Sequence, residues 1–306
     1  MAMLFLRRVV QMALILLGVA AITFVLLYAL PADPARMIAG RSATAQTVAN
    51  IRRELGLDQS LPVQFWSYLS NLLQGNLGRS YAQKTEVATL IMARLPATLT
   101  LMFSGIVVEV VLGLTLGTIA AVRRGGFVDR LVMMASFVGV SAPQFVVALL
   151  LLYVFAATLG WFPMSGYGTF SHVVLPAATL GVLGAGWYAR MVRSAMIDVL
   201  NQDYVRTARA KGLSSRRITL RHALPNAVLP VIAMIGIDIG QFMGGVVVVE
   251  AVYGWPGIGQ LAWQAIQQVD IPIIMGVTLT SALAIILGNL VADLIAPVID
   301  PRIRNR

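Results

Sequence analysis

TLTLMFSGIVVEVVLGLTLGTIAA, residues 98–121, carries one ionisable side chain, Glu109, in an otherwise uncharged run. A hydrocarbon core of about 30 Å takes roughly 20 apolar residues in a helix, so the stretch predicts a membrane-spanning helix with Glu109 near its centre. Gly113 and Gly117 fall one turn apart on one face and permit close approach of a second helix. Outward from this segment, five more stretches read the same way, at about 9–30, 131–159, 173–192, 228–249 and 272–297. The fold class is therefore an all-α membrane protein of six transmembrane helices, with both termini on one side. Composition agrees: the chain of 306 residues is 58% hydrophobic and 12% charged, with mean hydropathy +0.81, well above the roughly 45–50% apolar usage of soluble domains.

The first stretch follows Arg7 and Arg8 and could pass for a secretory signal, but it is long for one. Leu30-Pro31-Ala32-Asp33 also lacks a small-residue cleavage pattern. It is read as an uncleaved first helix. Orientation follows from short-loop arginines and lysines. The connections at about 160–172 and 250–271 contain neither residue, whereas 122–130 holds Arg123, Arg124 and Arg130. The loop 193–225 holds Arg193, Arg206, Arg209, Lys211, Arg216, Arg217 and Arg221. These loops, the N-terminus and the Arg302/Arg304/Arg306 tail are expected in the cytoplasm, so most of the net charge of +10 is a topology signal and not a nucleic-acid footprint.

Residues 31–95 then lie outside the membrane on the opposite face and form a small helical subdomain. Val48, Ile51 and Leu55 make one helical stripe, and Pro62 opens a helix carrying Val63, Trp66, Leu69 and Leu73 that Gly75 can end. The subdomain serves either as a spacer packed on its own bundle or as a platform for an external partner. In the 250–271 loop, Tyr253-Gly-Trp-Pro-Gly-Ile-Gly259 turns the chain, and Trp255 and Trp263 suit the membrane–water interface. In span five Gly236, Gly240 and Gly244 form a ladder, while Asp238 and Gln241 lie on another face. Glu109 and Asp238 are both near midplane, where an ionisable group is costly unless it faces a cavity or a partner. They line a pathway together with Gln241, or they are structural. Asp293 lies near the cytoplasmic boundary and can snorkel there. Pro143 and Pro230 can kink or unwind their helices.

The catalytic inventory is negative. The two lysines, Lys84 and Lys211, follow Gln83 and Ala210, so no G-K-[ST] phosphate loop exists, and any ATP would be handled by another subunit. His172 and His222 make no H-E-x-x-H zinc motif, and cysteine is absent. Ser165 lacks a G-x-S-x-G elbow, which disfavours an intramembrane serine protease.

The basic loop is patterned beyond what topology needs. Asp203 can cap a helix over 204–211, Gly212 can end it in the left-handed region, and Ser214 or Ser215 can start a second helix stopping before Pro225. Tyr204-Val-Arg-Thr-Ala-Arg-Ala-Lys-Gly-Leu213, with Leu224-Pro225 and Leu229-Pro230 downstream, resembles the cytoplasmic EAA loop of ABC-importer permeases in its dipeptide, oligopeptide and nickel branch. Arg206 stands at the usual acidic position and Thr207 at the first alanine. Leu30-Pro-Ala-Asp-Pro-Ala35, Leu55-Gly-Leu-Asp58, Gly75-Asn-Leu-Gly-Arg-Ser80 and Val249-Glu-Ala-Val-Tyr-Gly-Trp-Pro-Gly-Ile-Gly259 also resemble that branch, so the likeness runs through the whole chain.

The resemblance implies a type I importer permease of the bacterial inner membrane with a MetI-like fold. Its parts would be residues 1–30 with the first helix, a periplasmic subdomain at 31–95, a core at 96–298 containing the coupling loop 193–225, and a tail at 299–306. The implied partners are a second similar permease, two cytoplasmic ATPase subunits that hold ATP and magnesium, and a periplasmic substrate-binding protein. Tyr204, Arg206, Thr207, Ala208, Arg209, Lys211, Gly212 and Leu213 would form the ATPase-coupling surface: Ala208 and Gly212 for close docking, the cations for pairing with acids, Tyr204 or Leu213 for filling a pocket. Catalytic and metal-ligating residues are expected to be absent from this chain. The favoured substrate is a di- or oligopeptide, with glutathione or a nickel chelate as alternatives. An ion-coupled secondary transporter would use Glu109 and Asp238 but needs no docking helix, and the halves carry no inverted repeat. A non-transporting receptor or scaffold is the remaining class.

Overall fold

The computed structural model describes residues 2–29, 34–40, 43–54, 56–243 and 246–299. Leu30 to Asp33, Leu55, Gly244 and the Arg302/Arg304/Arg306 tail lie outside the described residues, as do the side chains of Arg7, Arg8 and Asp293. Among the described residues the chain is helical without strands, and the one β-type pairing is an isolated bridge between Arg79 and Glu86.

A first helix, α1 (Ala2–Ala29), carries the apolar run Val10–Leu26. Three helices follow before the core: α2 (Pro34–Ala39), α3 (Ala45–Glu54) and α4 (Leu61–Leu73). Pro62 sits in the first turn of α4, and Gly75 follows its end with φ +78°, as the sequence predicts. The packed face of α4 differs from the predicted stripe. Phe65 and Tyr68 meet Phe24 of α1, whereas Val63, Trp66 and Leu73 are exposed. A thirteen-residue helix with apolar side chains on both faces buries whichever one its neighbour matches, here the aromatic one.

The core is built on α5 (Val87–Val122), a helix of 36 residues. The expected third span is not one helix. Chain direction changes by 105° between α6 (Phe127–Ser141) and α7 (Gln144–Leu151), which continues as a π-helix over Leu152–Thr158. Pro143 is the cause: its ring excludes the helical region for Ala142, which adopts ψ 131°, and Pro143 itself has ψ 133°. The next helix, α8 (Phe170–Leu200), is long enough to span.

The basic loop forms α9 (Asp203–Ala210), then α10 (Ser215–Arg217), a π-helical turn at Ile218–Ala223 and α11 (Leu224–Ala227). This second helix does not stop before Pro225. Proline is tolerated in the opening turn of α11, and the chain bends by 49° into α12 (Leu229–Met243). Beyond it come α13 (Val247–Val252), α14 (Ile258–Gln268) and α15 (Ile271–Ile299). Among the described residues, three single helices and two bent pairs are thus long and apolar enough to cross a bilayer, with α1 contributing a shorter apolar run.

Glycine sets how closely these helices approach. Oil-like surroundings give little hydrophobic drive for helix association, so contact depends on small residues that let backbones meet. A Cβ on Gly113 would lie 2.2 Å from Tyr188 Cβ, and one on Gly117 would lie 2.6 Å from the Ala189 carbonyl oxygen. From the other side, Gly181 faces Val108 and Gly184 faces the Glu109 carboxyl, so α5 and α8 interlock through four glycines. Gly240 packs against Ile285 and Gly288 against Ile239, joining α12 to α15.

Gly113→Leu places a branched side chain where Tyr188 stands. We expect it to destabilise the folded chain by at least about 1–3 kcal/mol, read as a lower thermal midpoint of the detergent-purified protein. Gly18→Ala is expected to be silent, because no heavy atom lies within 4 Å of its added Cβ.

Candidate functional site

The interlock of α5 with α8 puts three sequence-predicted polar residues around one space. Glu109 from α5 and Asp238 and Gln241 from α12 line a cavity of about 240 Å³, with Gln144, Trp187 and Phe242 among its other walls. Glu109 is almost completely buried, whereas Gln241 is exposed. The Glu109 and Asp238 carboxyl groups are neighbours in this space, and Glu109 Oε2 is buried with no hydrogen-bond partner among the described residues. Tyr188 of α8 donates its hydroxyl to Asp238 Oδ2. Gly184 makes the pairing possible, since a Cβ there would sit 1.9 Å from Glu109 Oε1.

The predicted separation of faces on α12 holds. Gly240 packs on Ile285 while Asp238 meets Tyr188 and Glu109. The break at Pro143 places Ala142 and Gln144 in the cavity wall, so the bend that interrupts the third span also shapes this space. Tyr188 and Gln144 were not among the sequence candidates. A hydroxyl within an apolar span demands a partner, and that signal could have singled out Tyr188.

The second region is α9. Gly212 has φ +76°, and its amide donates to Arg209 O at 2.9 Å while the Leu213 amide donates to Ala208 O at 3.3 Å. This is the paired closure that ends a helix at a left-handed glycine. Ser214 caps the following helix, accepting from the Arg217 amide at 3.4 Å. Asp203 is not the cap: it occupies the first turn, Gln202 precedes the helix, and the Asp203 carboxylate meets Arg206 at 3.3 Å instead.

The face predicted for docking is also revised. Val205, Ala208 and Ile218 are buried together, with Leu200 and Leu213 packed on them, so Ala208 and Leu213 form the loop's own small core. Tyr204, Arg206, Thr207, Arg209, Lys211 and Gly212 are exposed. Thr207 bonds back to Asp203 O at 3.0 Å, and Tyr204 accepts from Asn226 Nδ2 at 3.2 Å. Arg193, expected to be a plain loop cation, instead holds Asp129 of α6 through two contacts at 2.5 and 2.7 Å, and Gly125 N–H donates to the same carboxylate at 2.8 Å.

At the other end, the loop read as interfacial is a buried knot. Trp255 is fully buried and its indole N–H donates to Ala97 O at 2.9 Å, which overturns its assignment to the wet interface. Trp263, at 48% exposed, keeps a surface position. Tyr253 Oη donates to Ala148 O at 3.0 Å and lies 2.9 Å from Thr179 Oγ1, and Thr98 Oγ1 accepts from the Ile258 amide at 2.8 Å. The knot therefore ties α5, α7 and α8 to the start of α14. Glu250 closes it: its buried carboxylate accepts from the Gln260 amide at 2.6 Å in the first turn of α14. Asp270 repeats the device nearby, accepting from Ser80 Oγ at 2.6 Å and the Ala82 amide at 2.9 Å.

Two family models match the chain: residues 113–305 match "Binding-protein-dependent transport system inner membrane component", and residues 1–102 match the N-terminal model of the same component. The chain is 42% identical over 301 residues to the glutathione transport system permease protein GsiC of Salmonella typhimurium (strain LT2), covering 98% of each. It is 42% identical over 300 residues to the protein of that name in Escherichia coli (strain K12), again covering 98% of each. Two solved inward-facing structures of the MetNI methionine ABC transporter share its fold, each with TM-score 0.57, at 21% and 20% identity. Both cover 69% of this chain, and 96% and 97% of their own.

The knot carries a pH dependence. Burial, opposed by the Gln260 amide, the Arg94 charge and the Gly259 amide, pushes the Glu250 carboxyl up to about 7 from 4.5. The folded state then holds a proton that the unfolded chain has lost, so stability falls as pH rises from about 4.5 through 7. The full effect is about 3 kcal/mol. Thermal unfolding in detergent at pH 5 and pH 8 is expected to show that fall, and Glu250→Gln is expected to flatten it.

Proposed function

Because this chain belongs to the family of binding-protein-dependent transport system inner membrane components, we propose that it is the permease subunit of an ATP-driven importer for glutathione or a closely similar short peptide. The class is fixed by the family: an inner-membrane, multi-pass permease of an ABC importer, working with a binding protein and ATPase subunits. The substrate reading draws on the 42% identity to the glutathione permeases across 98% of both chains. It moves the preferred substrate from a general di- or oligopeptide to the γ-linked tripeptide.

The single observation carrying the mechanism is the convergence of Glu109, Asp238 and Gln241 on one cavity. Two neighbouring carboxyl groups offer acceptor oxygens suited to an ammonium group such as a peptide amino terminus. Gln241 and Gln144 add amide donors and acceptors for the peptide's own carbonyl and carboxylate groups. In this reading the cavity is a waypoint and the binding protein performs most of the selection.

The basic loops and both termini face the cytoplasm, and α9 is the coupling helix. Its exposed face offers Tyr204, Arg206, Lys211 and Gly212 to an ATPase subunit, with Thr207 and Arg209 beside them. Ala208 and Leu213 serve coupling indirectly by fixing α9 on Ile218. Since α9 joins α8 to the helix leading into α12, its displacement moves two walls of the cavity as rigid bodies. A second similar permease completes the channel.

The test is the complex reconstituted in proteoliposomes with its ATPase subunits and binding protein. Glutathione-loaded binding protein is expected to stimulate ATP hydrolysis more than dipeptide-loaded protein does. Gly212→Pro forbids φ +76° and removes the amide bonded to Arg209 O. It is expected to reduce stimulated hydrolysis at least tenfold while the chain still inserts. Unchanged stimulation would exclude α9 as the coupling element.

A further inference from the structure

Where α5, α8 and α9 meet, a cavity of about 290 Å³ is walled partly by Val122 and Leu200 and partly by Arg124, Asn201, Arg209 and Ser215. No Asp or Glu lines it. Neither arginine forms an ion pair among the described residues; Arg124 lies within the field of Asp129, whose carboxylate is held by Arg193 and the Gly125 amide. Two cations therefore border one small space with hydroxyl and amide groups beside them and no carboxylate in its wall. Guanidinium groups recognise phosphate through paired N–H donors.

The lipid-facing surface leads to the same place. Phe103, Val107, Val111, Ile119 and Val122 are exposed on α5, the first three at four-residue spacing, and Val122 is itself in the cavity wall. Phe127, immediately beyond the Arg123–Arg124 turn, is 79% exposed, which suits an aromatic ring at headgroup level. An acyl chain lying along this stripe ends with its headgroup between Arg124 and Arg209.

We propose that this cavity binds the phosphodiester headgroup of an anionic phospholipid from the cytoplasmic leaflet, bridging the membrane end of α5 to the coupling helix α9. The inference rests on the cytoplasmic orientation of the basic loops proposed above. Its chemistry makes the lipid a brace: the headgroup neutralises Arg124 and Arg209 together and so couples the position of α9 to the bundle.

The test uses the assembled complex in nanodiscs of phosphatidylcholine, with and without phosphatidylglycerol, and counts retained phosphatidylglycerol by mass spectrometry. Arg124→Gln is expected to lower phosphatidylglycerol affinity about tenfold, whereas Arg123→Gln, which removes the same charge from the same turn outside the cavity, leaves it unchanged. Asn201→Asp keeps both arginines but supplies a competing carboxylate, and it is expected to reproduce the loss. Equal losses in Arg123→Gln and Arg124→Gln would reduce the effect to general charge and overturn the site. Inorganic phosphate that protects the complex in phosphatidylcholine as well as phosphatidylglycerol does would overturn the lipid as the occupant. Lipid retention is read without transport, so a complex that fails to hydrolyse ATP contradicts the importer reading and leaves this result separate.

Discussion

The close packing of α5 on α8 governs the molecule. Four glycines, Gly113 and Gly117 on one helix and Gly181 and Gly184 on the other, let the backbones approach to distances that a Cβ would prevent. In a bilayer this contact has to come from shape, because lipid tails are as apolar as the side chains they would replace. Everything polar within the bundle follows from it. Glu109 can lie buried only because Gly184 leaves it room, and Tyr188 reaches Asp238 because its own backbone is pressed on Gly113. A costly charge is thereby turned toward a cavity instead of toward hydrocarbon.

Two ends of the bundle finish this arrangement in different ways. On one side the Tyr253–Gly259 knot pins α5, α7 and α8 through side chains donating to backbone carbonyls, with Glu250 and Asp270 each holding a chain turn. On the other side α9 rests on only a small core of Val205, Ala208 and Ile218. A firmly tied end and a lightly seated helix fit the coupling role proposed for α9.

Much of this was legible from residue type and spacing. Long apolar runs give spans, Gly113 and Gly117 give a packing face, and Gly212 gives the end of α9, because each depends on local chemistry. Glu109, Asp238 and Gln241 were recognisable as midplane polar groups, although only the tertiary structure unites them. What sequence reading missed depends on neighbours distant in the chain. Trp255 reads as an interfacial ring, yet it meets Ala97, and Ala208 reads as a docking surface, yet it meets Ile218. The 105° turn at Pro143 exceeds an ordinary kink because Ala142 and Pro143 both leave the helical region, and hydropathy is blind to direction.

The absence of cysteine gives direct access to the central claim, that the Glu109–Asp238–Gln241 cavity lies on the path through the membrane. Gln241→Cys places one thiol at its exposed wall. In complexes with no other reactive cysteine, a membrane-impermeant thiol reagent applied from either side reports access with and without ATP. A thiol on the path is labelled from one side in the resting state and from the other when ATP is bound, and protected when substrate-loaded binding protein is present. A thiol that never reacts, or reacts from the same side in both states, contradicts the assignment of this cavity to the path.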